Sequence, residues 1–453
     1  MPPRSAALTE GPIARSLIVF ALPMLAGNVL QSLNGSVNAI WVGSFLGEAA
    51  LTATSNSNTV MFLLIGSMFG MSMAANILIA QHFGARRLAE ARRVVGSSAS
   101  FFAAVAIAVA VLGVLFSDHI LRAMHTPPDA LPLAHDYLRI IFVAIPFMFM
   151  YAFAMAVLRG AGDSRTPFLF LLLSVGLDIL LNPLLIFGVG PLPRLGIAGS
   201  ALATLIANIV SLGALVAHLY RKRHPLVLHR DDLHLLRIDR GIIATLLGKG
   251  VPMGLQMVVV SASALLMLGL INQYGSQTTA AFAACMQVWS YVQMPAFAMG
   301  AAVSAMAAQN VGAGHWGRVG RIAMAGVTFQ TLVTAVSVLL ITVFARPLLG
   351  IFLPADSPSL ATAVHVNYVA SWSFVLFGVT IVLFGVVRST GAVIVPLVIL
   401  VITLWGLRFP AAASLMGRYG EDAIWWSFPA SSALSTMLAV AYYRYGGWHK
   451  ARM

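Results

Sequence analysis

The chain has 453 residues, of which 59% are hydrophobic and only 9% charged. An ordinary soluble domain carries roughly 25% charged residues, so the solvent for this much apolar matter is lipid; the single cysteine, Cys285, rules out an intrachain disulfide and a cysteine-built metal site. The net charge of +13 would suit nucleic acid, but the Lys and Arg residues sit in short connections between apolar runs, as membrane topology requires, and no nucleic-acid partner is expected.

The polar N-terminal stretch MPPRSAALTEGPIARS lacks a signal-peptide cleavage pattern, so the first apolar run is read as a retained helix. A helix of about 20 apolar residues crosses the hydrocarbon. Twelve such runs lie near 16–43, 50–81, 94–116, 137–158, 167–189, 197–219, 242–270, 278–308, 320–345, 361–387, 392–412 and 423–443. They do not alternate as barrel strands do, and in lipid a helix pairs every backbone group within itself. The expected class is therefore an all-α integral membrane protein with twelve transmembrane helices.

The first run is polar in its second half, with Asn28, Gln31, Ser32, Asn34, Ser36 and Asn38, and the second opens with Thr52, Thr54, Ser55, Asn56, Ser57, Asn58 and Thr59. Interhelical hydrogen bonds would account for these groups; so would a hydrated cavity in the first half. The fifth run, LLLSVGLDILLNPLLIFG, holds Asp178, the one acidic residue of 14 away from loops and helix ends. A charge at membrane depth is costly and marks ion relays or substrate pairing. Asn182 sits one turn on along the same face, and Pro183 loosens the helix beside both. The seventh run, from Gln256 to Leu270, is far more apolar than its counterpart in the first half. The eighth holds Met286, Gln287, Trp289, Tyr291 and Met294, which suit either helix packing or a flat cationic ligand. In the eleventh, Arg408 near Pro410 is expected to snorkel to the outer interface.

Of 27 basic residues, 21 fall at the termini or in the even-numbered connections, which puts both termini in the cytoplasm. The two halves repeat. Pro23 matches Pro252, and Leu158-Arg159, Gly162 and Pro167 match Val387-Arg388, Gly391 and Pro396, all at an offset of 229. Gly47 matches Gly275 and Gln81 with Gly84 matches Gln309 with Gly312, at 228. A constant offset means duplication, and six helices per half keep both halves in the same orientation. The lobes are expected at 1–220 and 241–453, joined by a cytoplasmic linker at 221–240.

The segments ALPMLAGNVLQSLNGSVNAIWVGSFLG, LRGAGDSRTP, LDILLNPLLIFG and GIAGSALAT, with the duplicated twelve-helix plan, resemble the multidrug and toxic compound extrusion (MATE) transporters, in particular their DinF-like branch. The resemblance implies two six-helix bundles in a V shape around a central cavity opened to alternate sides. The implied activity is export of amphipathic, cationic organic compounds in exchange for protons or sodium ions, with no other cofactor and no enzymatic chemistry. The family's usual first-helix acid falls on Asn38, its helix-six threonine on Thr204, and its helix-five Asn–Asp order appears exchanged as Asp178–Asn182. The expected coupling site is thus Asp178 with Asn182, Asn38, Asn34 and Thr204. Expected substrate contacts are Gln31, Asn58, Tyr151, Gln256, Met286, Gln287 and Trp289. A monomer in the cell inner membrane, meeting a small organic molecule and the lipid bilayer, is the expected setting. The alternatives are a lipid-linked sugar flippase of the same superfamily, or an intramembrane lipid-modifying enzyme.

Overall fold

The computed structural model describes residues 8–188, 193–354 and 356–451. Among these the chain is helical, with no strand. The first six long helices are α1 (Ile13–Leu46), α2 (Glu48–Gly84), α3 (Leu88–Ala123), α4 (Leu131–Gly160), α5 (Arg165–Phe187) and α6 (Ile197–Arg221). The second half holds α7 (Arg240–Ile271), α8 (Ser276–Gly312), α9 (Trp316–Val343), the short α10 (Ala345–Leu349), α11 (Pro358–Ala370) and α12 (Ser373–Arg388). It ends with α13 (Ile394–Leu400), α14 (Phe409–Tyr419) and α15 (Asp422–Tyr445); a π-helical stretch, Val401–Arg408, joins α13 to α14. Ten helices are long and apolar enough to cross a membrane, counting Ile394–Tyr419 as one. The α11–α12 pair, bent by 46°, makes an eleventh. The less apolar α15, with 24 residues, measures about 36 Å at 1.5 Å per residue, so it too is long enough to span.

The apolar faces explain which side of each helix meets lipid. Along α3, Phe102, Ala106, Ala110, Gly113, Ser117 and Leu121 are buried at the three-or-four spacing of one helical face. Ile107, Leu112, Leu115 and Phe116, on the opposite face, are exposed. Along α9, Leu332, Val336, Leu339 and Leu340 are exposed in the same way. In water such surfaces would aggregate; in lipid they are the solvated face of a multi-pass membrane protein.

The helices form two compact units, and each repeats the other's plan. In the first, α4 packs on α2, α3 and α6, and α5 on α6; in the second, α12 packs on α8, α9 and α15, and α14 on α15. The turns repeat as well. Left-handed backbone occurs at Gly47, Arg86 and Gly162, and again at Gly275, Gly314 and Gly391, the positions that the offsets of 228 and 229 relate. Small residues let the hub helix approach closely: a Cβ on Gly385 of α12 would lie 2.5 Å from the Gly300 carbonyl oxygen of α8.

The units do not divide the chain at one point. The first comprises Ala26–Gly250; the second takes Val251 onwards together with residues up to Leu25. Each borrowed segment is tied down by named bonds. Gln309 Oε1 accepts from the Leu8 amide at 3.1 Å, Asn310 Nδ2 donates to the Leu8 carbonyl at 3.1 Å, and Arg318 donates to the Glu10 and Gly11 carbonyls at 2.9 Å each. Leu17, Phe20 and Ala21 then pack beside Met299, Val303 and Met306. In the first unit, the linker before α7 is strapped to the start of α3. Arg92 Nε donates to the Pro225 carbonyl at 2.7 Å, Arg93 pairs with Asp239 at 2.5 Å, and the Asp239 amide donates to Ser97 Oγ at 2.9 Å. Asp239 Oδ1 also accepts from the Gly241 and Ile242 amides. The Ile242 amide, then Arg93, hold its carboxyl below the ordinary carboxylate range.

Candidate functional site

The first unit encloses a cavity of about 240 Å³ whose wall includes Asn34, Asn38, Thr54, Asn58, Tyr137, Met148, Asp178 and Thr204. Five helices, α1, α2, α4, α5 and α6, supply the polar part, and helical spacing explains the grouping. Asn34 and Asn38 lie one turn apart on α1, Asp178 and Asn182 one turn apart on α5, and Ser200 and Thr204 one turn apart on α6, so each pair shares a face. Both Asp178 and Asn182 are buried, at 5% and 1% exposure.

Asp178 is held at both oxygens. Asn34 Nδ2 donates to Oδ2 at 2.9 Å and Thr204 Oγ1 donates to Oδ1 at 3.0 Å. A second polar link lies beside this one: Ser200 Oγ donates to Asn38 Oδ1 at 2.8 Å, and Tyr137 lines the same cavity. Asn182 turns its amide nitrogen back to the Asp178 carbonyl oxygen at 3.0 Å. Its own Oδ1 is buried with no hydrogen-bond partner among the described residues. Pro183, lacking an N–H, leaves the Ile179 carbonyl without its usual helical donor. The cavity therefore combines one carboxylate with amide and hydroxyl groups that can turn either a hydrogen or a lone pair towards it.

All five residues expected at the coupling site, Asp178, Asn182, Asn38, Asn34 and Thr204, come together here. The residues expected to touch substrate are divided between the two units. Asn58 lines the same cavity, while Gln31 lies on an exposed face of α1. Tyr151 is buried among Leu158, Leu171, Val175 and Leu215, its hydroxyl without a hydrogen-bond partner among the described residues. In the second unit, Gln256 is buried and donates to the Val393 carbonyl at 3.2 Å. Trp289 is fully buried and donates to Asn367 Oδ1 at 2.9 Å, while Met286 and Gln287 are on the exposed side of α8. Arg408, expected to snorkel near an outer helix end, is followed by further helix. The helix continues to Tyr419, roughly 16 Å further on at 1.5 Å per residue; Arg408 Nε instead donates to Ser431 Oγ at 2.8 Å on α15. Ser200 and Tyr137 went unrecognised in the sequence, although Ser200 lies one turn before Thr204 in the GIAGSALAT segment.

The MatE family model matches residues 23–184 and again 252–413, two copies whose starts and ends both keep the offset of 229. The chain belongs to the MatE family. Among MatE relatives, it is 36% identical over 442 residues to a Bacillus subtilis protein named "Probable multidrug resistance protein YoeA", covering 97% of this chain and 95% of that one. It is 31% identical over 446 residues to another from the same organism, "Probable multidrug resistance protein YpnP", covering 98% of each. A solved structure described as MATE in complex with MaD3S superposes with a TM-score of 0.89 at 20% identity, over 98% of this chain and 97% of that one, so the whole chain has the MATE fold.

Proposed function

We propose that this MatE protein is a secondary-active exporter of amphipathic organic compounds, not an enzyme, and that Asp178 couples export to the inward movement of a proton or sodium ion. The observation that carries this is the geometry at Asp178: one buried carboxylate in a polar cavity, bonded by an amide on α1 and a hydroxyl on α6, with the orphan oxygen of Asn182 one turn further along α5. A carboxylate can take up and release a proton, so the cavity offers a proton a place to bind. A sodium ion would need oxygen ligands, and rotating the Asn34 amide would supply one beside Asp178, Asn182 and Thr204. Cation entry and cation release then change the charge of the cavity wall, which is what a substrate bearing positive charge would sense. The cavity lining includes Asp178 and no Lys or Arg, which speaks against an anionic lipid-linked sugar as its occupant. The setting we propose is the inner membrane with both termini cytoplasmic. The test is export from proteoliposomes with the proton and sodium gradients imposed separately. Export driven by neither gradient would refute the proposal.

A further inference from the structure

Arg408 is a cation well inside the membrane-spanning part of the second unit, and its surroundings do not neutralise it. The sequence from 241 onward has only three acidic residues, Asp356, Glu421 and Asp422. The latter two stand at the outer end of α15, about 14 Å along that helix from Ser431 at 1.5 Å per residue. The guanidinium lies over the Phe428 ring at 4.6 Å from its centroid and spends its Nε hydrogen on Ser431. Among the described residues its two Nη atoms make no hydrogen bond, and they are not sealed in the core. Four N–H groups of a planar fork are thus left for a partner that the described residues do not provide. An arginine at this depth is ordinarily paired or functional.

The repeat gives the position a meaning. At the offset of 229, Asp178 falls on Leu407, beside Arg408. The π-helical stretch Val401–Arg408 has i→i+5 bonding, the mark of one extra residue wound into an α-helix. Arg408 thus stands one residue past the counterpart of Asp178, at the end of this stretch. The partners correspond too: Asp178 is bonded by a hydroxyl on α6, the last helix of its unit, and Arg408 bonds a hydroxyl on α15, the last helix of its own. The counterpart of Asn34, which bonds Asp178, is Ser263 on α7; it is buried and its hydroxyl has no partner among the described residues. The two lobes therefore place opposite charges within one residue of repeat-related positions, one satisfied from within the protein and the other not satisfied among the described residues.

We propose that Arg408 is a binding site for an anionic group, a carboxylate, sulfonate or phosphate carried by an amphipathic molecule, with Phe428 as the aromatic surface beneath it. A guanidinium fork receives such groups through two parallel bonds, and stacking on an aromatic ring holds the fork in plane. The site extends the export proposal by adding organic anions and zwitterions to the class of compounds recognised.

The full-length protein, purified in nonionic detergent at neutral pH, would be titrated by fluorescence anisotropy with two xanthene dyes of opposite charge, fluorescein and rhodamine 6G. Fluorescein is expected to bind, and Arg408→Gln to weaken it on the order of tenfold or more, with rhodamine 6G affinity unchanged. An equal fluorescein affinity in the two proteins, or none in the native one, would overturn the site. Should Arg408→Gln not fold, Arg408→Lys keeps the charge and loses the fork: weaker fluorescein binding alone supports the proposal, and no change overturns it. Phosphatidylglycerol, compared with phosphatidylcholine, separates the sources of the anion. Competition by phosphatidylglycerol that depends on Arg408 assigns the site to lipid headgroups; no competition assigns it to transported molecules. Asp178→Asn is expected to leave fluorescein binding intact, so failure of the coupling proposal and failure of this site give different results.

Discussion

Replacing Asp178 by Asn removes the charge that the α5 carboxylate places in the cavity wall while barely changing its shape. Each native carboxylate oxygen accepts one bond, from Asn34 at 2.9 Å and from Thr204 at 3.0 Å. The variant's single oxygen can keep Thr204. Its NH₂ would face the Asn34 NH₂ unless that amide rotates to present its oxygen, which an asparagine can do. Two bonds to a charged acceptor become two neutral ones, a loss of about 1 kcal/mol each. Against that, exchanging a charged group at membrane depth for a neutral amide recovers part of the roughly 2.5–3.5 kcal/mol that the charge costs on insertion scales. These terms nearly cancel, so Asp178→Asn is expected to insert, fold and unfold thermally close to the native protein. Coupling has no such offset, because no carboxylate remains in the cavity to exchange a cation. Export into an imposed proton or sodium gradient is expected to fall to the rate measured without one. The assay is dye efflux from matched proteoliposomes, with thermal unfolding as the folding control. Native-rate, gradient-driven export by Asp178→Asn would refute the reasoning and leave Asp178 as a hydrogen-bonding residue only.

Asn182→Ala is expected to slow gradient-driven export less than Asp178→Asn does, since it removes a neutral oxygen and a bond to backbone; an equal or greater loss would make Asn182 the principal group. Gly385→Val would drive a Cβ towards the Gly300 carbonyl and is expected to lower stability by about 1–3 kcal/mol, read as a lower thermal midpoint in detergent. An unchanged midpoint would contradict the close approach of α12 and α8. An impermeant thiol reagent outside intact cells should label a cysteine placed at position 418 and miss one placed at 230. Labelling at 230 would reverse the topology deduced from the basic residues.

Much of the architecture is written in composition and spacing. Hydrophobic runs locate the helices because lipid admits almost no other backbone structure, and the constant offset reveals the repeat because equivalent turns need equivalent residues. Gly162 and Gly391 both take a φ near +90°, which a side chain would strain. Asp178 stands out because a mid-membrane acid has no inconspicuous use. The remaining walls of the cavity were less legible. A serine such as Ser200 can bond its own helix backbone anywhere in a membrane, so its presence carries little signal until its neighbour on another helix is known. Arg408 was misplaced for a physical reason: Pro410 looks like a helix stop. Here the helix runs on through Pro410 to Tyr419, directly after the π-helical stretch Val401–Arg408. The π-helical stretch has the same apolar composition as its surroundings, so nothing in the residue types announces it.

The exchanged segments bear on how such a chain could have arisen. The first turns of α1 belong to the second unit, and the first turns of α7 to the first. Two separate copies of one six-helix ancestor, each lending its leading arm to the other, would form the same arrangement as a domain-swapped dimer. Joining their genes then needs only a linker, since every contact is already in place. A single repeat lifted out of this chain would carry an arm with nowhere to lie, and leave bare the groove in which its twin's arm had rested.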